Sequence, residues 1–108
     1  ETSLDRIAED HANARRFAEA VKAMKGLRVI NDPVETNLVQ VGLADLNVRA
    51  ALEALNGRGV RALDFDGALR FAFHRDVTPA LTTQAIDALA ATAAGLQKNQ
   101  LHAKEGST

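Results

Sequence analysis

Between residues 3 and 25, Leu4, Ile7, Ala8, Ala14, Phe17, Ala18, Val21 and Met24 recur at three- and four-residue steps, with His11 on or beside the same stripe. That spacing predicts an amphipathic helix laid on a core. Thr2 or Ser3 can cap its start, Asp5 suits the first turn, and Lys22, Lys25 and Gly26 close it. Leu27-Arg28-Val29-Ile30 predicts a short strand, stopped by Asn31-Asp32-Pro33. The alternation from Asn37 to Leu43 predicts a second. Asp45 or Asn47 then caps a helix over roughly 46–56, with Val48, Ala51, Leu52 and Leu55 inward and Gly57 and Gly59 at its end. Val60 to Leu63 predicts a third strand, Asp64-Phe65-Asp66-Gly67 a turn, and Leu69 to His74 a fourth strand. Thr78-Pro79 is a helix start, because Thr caps and Pro fits the first turn. This last helix is expected to run to about Gly95 or Lys98, with Leu81, Ala85, Ile86, Leu89, Ala93 and Leu96 inward.

The order α-β-β-α-β-β-α predicts an α/β fold: a small, mostly antiparallel sheet of about four strands with three helices packed on it. Residues 1–98 read as one domain, and 99–108 as a polar, flexible tail. With 108 residues and only four Phe as aromatics, the core must be built from Leu, Val, Ile and many Ala. Such a core buries little area per helix, so the domain is expected to lean on something larger.

Charge narrows the partners. The net charge is -1, and no long run of one sign appears. Phosphate backbones need a concentrated basic surface, so nucleic acid is not an expected partner. The cluster Arg15, Arg16, Lys22, Lys25 and Arg28 is interrupted by Asp10 and Glu19 and reads as a solvated helix face. No stretch is apolar enough for a membrane span, and no signal peptide is visible. The absence of cysteine removes disulfides and thiolate metal sites and fits a reducing compartment, so the expected setting is cytoplasmic.

Complete catalytic constellations are missing. Asn56-Gly57-Arg58-Gly59 has no following helix start and reads as a helix stop rather than a phosphate cradle. His74 and Asp76 have no third ligand for a metal. His11 reads as a packed histidine satisfied by a backbone carbonyl. The fourth strand carries more information. Alternation puts Leu69, Phe71 and Phe73 on one face, which must be the core face, and Arg70, Ala72 and His74 on the other. Arg70 is thereby aimed away from the domain's own core. A guanidinium there either faces solvent or clamps a carboxylate with two parallel hydrogen bonds.

Three stretches resemble the bacterial threonine aldolases, a family of pyridoxal-phosphate enzymes in the aspartate-aminotransferase-like, fold-type I group. They are Ala8-Glu9-Asp10-His11-Ala12-Asn13-Ala14-Arg15-Arg16, Pro33-Val34-Glu35-Thr36-Asn37-Leu38-Val39 and Leu69-Arg70-Phe71-Ala72-Phe73-His74-Arg75-Asp76-Val77-Thr78. They occur in the family's order and at about its spacing. The resemblance implies the carboxy-terminal small domain of an enzyme that cleaves β-hydroxy-α-amino acids to glycine and an aldehyde. It implies that Arg70 binds the substrate carboxylate, and that His74 and Asn37 are structural or orienting. It also implies an oligomeric parent.

The family's Val-Thr after the Arg is Ala72-Phe73 here, and Phe73 is expected to stand beside the site and alter substrate preference. That leaves an aldolase acting on bulkier substrates, such as phenylserine, as an alternative. A free-standing α/β binding or interaction module is another. Lys22, Lys25, Lys98 and Lys104 do not lie in the Ser- and Gly-rich context in which the family holds its cofactor. The large domain that binds pyridoxal phosphate is therefore expected upstream of Glu1, and this chain alone is expected to be inert.

Overall fold

In the computed structural model, residues 3–44, 46–73 and 77–106 are described. They form α1 (Ser3–Lys22), β1 (Leu27–Val29), β2 (Leu38–Leu43), α2 (Val48–Gly57), β3 (Leu63–Phe65), β4 (Ala68–Ala72) and α3 (Pro79–Gly106). The strands make one antiparallel sheet in the order β1-β2-β4-β3. Element order and fold class are those the periodicity predicts. Thr2 and Asp45, two of the candidate caps, lie outside the described residues. Asn47 caps α2, its side-chain oxygen accepting from the Ala50 N–H at 3.0 Å. Thr78 Oγ1 accepts from the Leu81 N–H at 3.1 Å and does the same for α3.

All three helices pack on a single face of the sheet. Val39 and Val41 of β2 and Leu69, Phe71 and Phe73 along β4 meet Ala14, Phe17, Ala18 and Val21 of α1, Ala51 and Leu55 of α2, and Leu89 of α3 in one buried cluster. Phe17 stands at its centre, fully buried, with its ring 4.7 Å from that of Phe71 and 5.2 Å from that of Phe73. Tilted aromatic pairs at such separations add roughly 0.5–1.5 kcal/mol each beyond burial. Ala8 falls off the α1 stripe and is exposed.

Three elements differ from expectation. β3 begins at Leu63 rather than Val60, and Asp64 and Phe65 lie in the strand instead of a turn. The turn is Asp66-Gly67 alone, because Phe65 pairs with Ala68. Both turn residues have positive φ (55° and 82°), as a type I′ hairpin requires. The α3 stripe passes through Thr82, which is fully buried, while Leu81 is 46% exposed. The Thr82 hydroxyl donates to the Thr78 carbonyl at 3.0 Å, so its burial leaves no unmet donor. α3 also continues to Gly106, through most of the segment expected to be a tail.

Candidate functional site

The helices leave the second face of the sheet uncovered. Directly paired residues of antiparallel strands share a face. Gln40 pairs with Arg70, Leu63 with Arg70, Leu38 with Ala72, Phe65 with Ala68, and Arg28 with Gly42. These residues therefore form the open face, to which Ile30 belongs by continuation of β1. Leu63 (66% exposed), Phe65 (48%) and Ile30 (45%) are three of the four large apolar residues most exposed in the described chain. The strand positions of this face include no Asp or Glu, whereas Arg28 and Arg70 give it two guanidiniums.

Arg70 lies in the middle of β4, between Gln40 on one neighbouring strand and Leu63 on the other. Its side chain is directed away from the core, as alternation predicts, and is half-buried. The guanidinium carbon sits 5.1 Å from the centroid of the Phe65 ring. That distance is within reach of a cation–π interaction. Arg28 lies along the same face over Gly42. A Cβ at position 42 would come within 2.8 Å of the Arg28 Nε and 3.0 Å of its Cγ. The missing side chain is what lets this arginine lie flat on the sheet.

The other expected residues fall differently. His74 and Asp76 lie outside the described residues. Asn37 is half-buried, and its backbone carbonyl accepts from the Phe73 N–H at 2.7 Å, extending the β2–β4 pairing. Side-chain bracing of β2 comes from Asn31, whose amide donates to the Leu38 carbonyl at 2.9 Å while its oxygen accepts from the Gln40 N–H at 3.0 Å. An Asn just past a strand end was the available sign of such a brace. Phe73 does not stand beside Arg70. It is buried on the opposite face against Phe17, as strand parity requires. The departure from the family pattern that reaches the open face is Ala72, which is exposed.

Two residues of the first resembling stretch turn out to be clamps. Asn13 is 5% exposed, and its amide donates to the Val77 carbonyl at 3.2 Å. Arg16 donates to the Pro79 carbonyl and to Thr83 Oγ1, both at 2.7 Å. Together they fix the entry into α3 against α1. His11, on the same helix, is half-buried. The basic cluster is thus not simply a solvated face. Arg16 binds α3, Arg28 lies on the sheet, and Lys22 bridges Glu19 at 2.8 Å and Asp32 at 2.9 Å.

A further cleft of about 270 Å³ opens between the end of β4 and the start of α3, lined by Phe71, Phe73, Val77, Leu81 and Gln84 among others. Leu81 stands exposed at this cleft rather than in the core. Among the described residues no three His, Asp or Glu side chains converge as a metal site would need, and no helix is long and apolar enough to cross a membrane.

No family model matches the sequence, and no curated protein does. Solved structures do match its fold. The cysteine desulfurase CsdA of Escherichia coli superposes with a TM-score of 0.78 at 15% identity, over 89% of this chain and 27% of that one. The sphingosine-1-phosphate lyase of Burkholderia pseudomallei gives 0.78 at 18% identity, over 96% of this chain and 24% of that one. Oryza sativa TDC, solved with PLP and tryptamine, gives 0.73 at 21% identity, over 84% and 23%. The chain thus spans about a quarter of the length of each, and at these identities the likeness is one of fold.

Proposed function

We propose that this chain is the small domain of a fold-type I pyridoxal-phosphate enzyme of the threonine aldolase kind, and that Arg70 binds the α-carboxylate of a β-hydroxy-α-amino acid. Three ordered stretches resembling that family support the reading. So does a fold shared with quarter-length segments of enzymes, one of them solved with pyridoxal phosphate. The observation that carries it is the position of Arg70: mid-strand, turned from the core, on a face whose strand positions hold no carboxylate.

In this reading the cofactor is not held by Lys22, the lysine of this chain whose partners are defined. The Lys22 ammonium is engaged by Asp32 and Glu19, which raise its pKa above the usual lysine value. In this reading another part of the protein holds pyridoxal phosphate, which there supplies the electron sink. This chain contributes orientation. A guanidinium meeting a carboxylate with two parallel N–H···O bonds fixes the position and the plane of that group. Fixing it limits the rotation of the substrate's α-carbon, which decides the bond presented for cleavage.

The test is kinetic and uses the full-length protein. It should release glycine and an aldehyde from threonine or a related substrate. Arg70→Ala should raise KM by about ten- to a hundred-fold, the range for a lost hydrogen bond to a charged group. No cleavage of any β-hydroxy-α-amino acid, or an unchanged KM, would remove the reading. Ala72 supports a second, narrower version, in which the smaller side chain on the Arg70 face leaves room for an aryl substrate. A preference for phenylserine over threonine that reverses in Ala72→Val would mark that version.

A further inference from the structure

We infer that Phe65 is a positioning residue for Arg70, and that the Asp66-Gly67 hairpin is the device that puts it there. The inference rests on the carboxylate-binding reading of Arg70 and adds the group that aims it.

An arginine in the middle of an uncovered sheet has many rotamers, and most of them trail into solvent. Here the guanidinium carbon lies 5.1 Å from the centre of the Phe65 ring. A guanidinium stacked on an aromatic ring uses its flat face, while its five N–H donors lie in its plane. The contact can therefore restrict the side chain without consuming the donors that a carboxylate needs. Phe65 is 48% exposed on this face and is not part of the buried core, so folding alone does not account for a large aromatic there. Its neighbours are small or flexible. Ala68 is its cross-strand partner, and Leu63 is two residues back on the same strand.

The ring can meet Arg70 only in one register. Phe65 pairs with Ala68 across a two-residue turn, which leaves it diagonal to Arg70 on the same face. A slip of one residue would turn Phe65 to the helical face and break the contact. The register is fixed by the positive φ of Asp66 and Gly67 and by Asp64 Oδ1, which accepts from the Gly67 N–H at 3.1 Å.

Binding of glycine and of methylamine to the full-length, cofactor-loaded protein, measured by titration calorimetry, separates the possibilities. Glycine carries the carboxylate and methylamine lacks it. Phe65→Leu keeps an apolar side chain and removes the ring. It should weaken glycine by about two- to five-fold, the range for an exposed cation–π contact, and leave methylamine unchanged. Phe65→Trp should restore glycine binding. Arg70→Ala is the control for the underlying reading and should weaken glycine at least as much as the ring deletion. If Arg70→Ala leaves glycine binding intact, the carboxylate reading and the role of Phe65 both fall. If Arg70→Ala weakens glycine but Phe65→Leu does not, or Phe65→Leu weakens both ligands alike, only the positioning role is overturned.

Discussion

The amide of Asn13 donates to the carbonyl of Val77 at 3.2 Å, joining the first helix to the approach of the last across 64 positions of sequence. Asn13 is nearly buried, so this is a core contact made by a polar side chain. Asn13→Ala removes the donor and leaves a part-buried carbonyl unpaired. Such a loss costs about 1–2 kcal/mol. The unfolding free energy should fall by that amount, read as a lower denaturant midpoint with an unchanged slope, since the exposed area on unfolding stays the same. Arg16→Ala should cost less, because its bonds to Pro79 and Thr83 are exposed. A larger effect at Arg16 than at Asn13 would contradict this ranking.

Among the described residues, Lys22 has a raised proton affinity. Asp32 and Glu19 hydrogen-bond its ammonium and raise its pKa above 10.5. A raised folded-state value means that the stabilisation is complete below the unfolded pKa and is lost as pH climbs through the folded one. Stability should therefore show no Lys22 contribution to pH dependence near neutrality, and a decline only in the alkaline range above 10.5. Asp32→Asn removes the larger cause and should lower the Lys22 titration toward that of a free lysine, read by NMR at its ε-methylene. The ion pairs lie at the surface, so the accompanying change in stability should be slight.

Periodicity made the helices, the sheet class and the outward aim of Arg70 legible, because each depends only on spacing and parity. The clamps at Asn13 and Arg16 in the middle of α1 are not legible, because their partners lie far along the chain and no local pattern encodes that contact. The resemblance sets Phe73 beside the Arg70 site, whereas the parity that aims Arg70 outward puts Phe73 on the core face. The structure restores the parity. Apolar character alone puts Leu81 in the core, but it is exposed. Thr82 takes the position because its hydroxyl is satisfied within the helix. Reading the Asp-Gly pair as the end of a longer turn puts β3 too early; it runs from Leu63 to Phe65. Asp-Gly is the strongest short hairpin signal, and it places the strand immediately before Asp66.

That hairpin makes its own prediction. Gly67 has φ 82° and Asp66 φ 55°, a region that costs ordinary L residues. Gly67→Ala should destabilise the fold by roughly 1 kcal/mol, and the β-branched Asp66→Val by at least as much. Asp66→Asn should be neutral, since Asn accepts this conformation readily. Amide exchange at Leu63 and Phe65 should quicken in the first two variants before the global midpoint moves far. Equal protection in all three would mean that the turn does not hold the strand.

Gly42 shows how a missing side chain can shape a surface without setting the backbone. A methyl group there would meet the Arg28 Nε at 2.8 Å and its Cγ at 3.0 Å, and the Ile30 Cγ1 at 3.4 Å. The first two atoms belong to an exposed, flexible side chain that can swing into solvent. In addition, Gly in a strand interior is itself unfavourable. Gly42→Ala should therefore leave the unfolding free energy within about 0.5 kcal/mol of the parent, the usual range for surface changes. The Arg28 Nε–H resonance should lose its contacts to residue 42, and the open face should keep Arg70 as its remaining ordered cation. Gly42→Val adds a branch toward Ile30 and should shift that side chain as well. A drop of more than about 2 kcal/mol in Gly42→Ala would show that the strand, rather than the arginine, has to move.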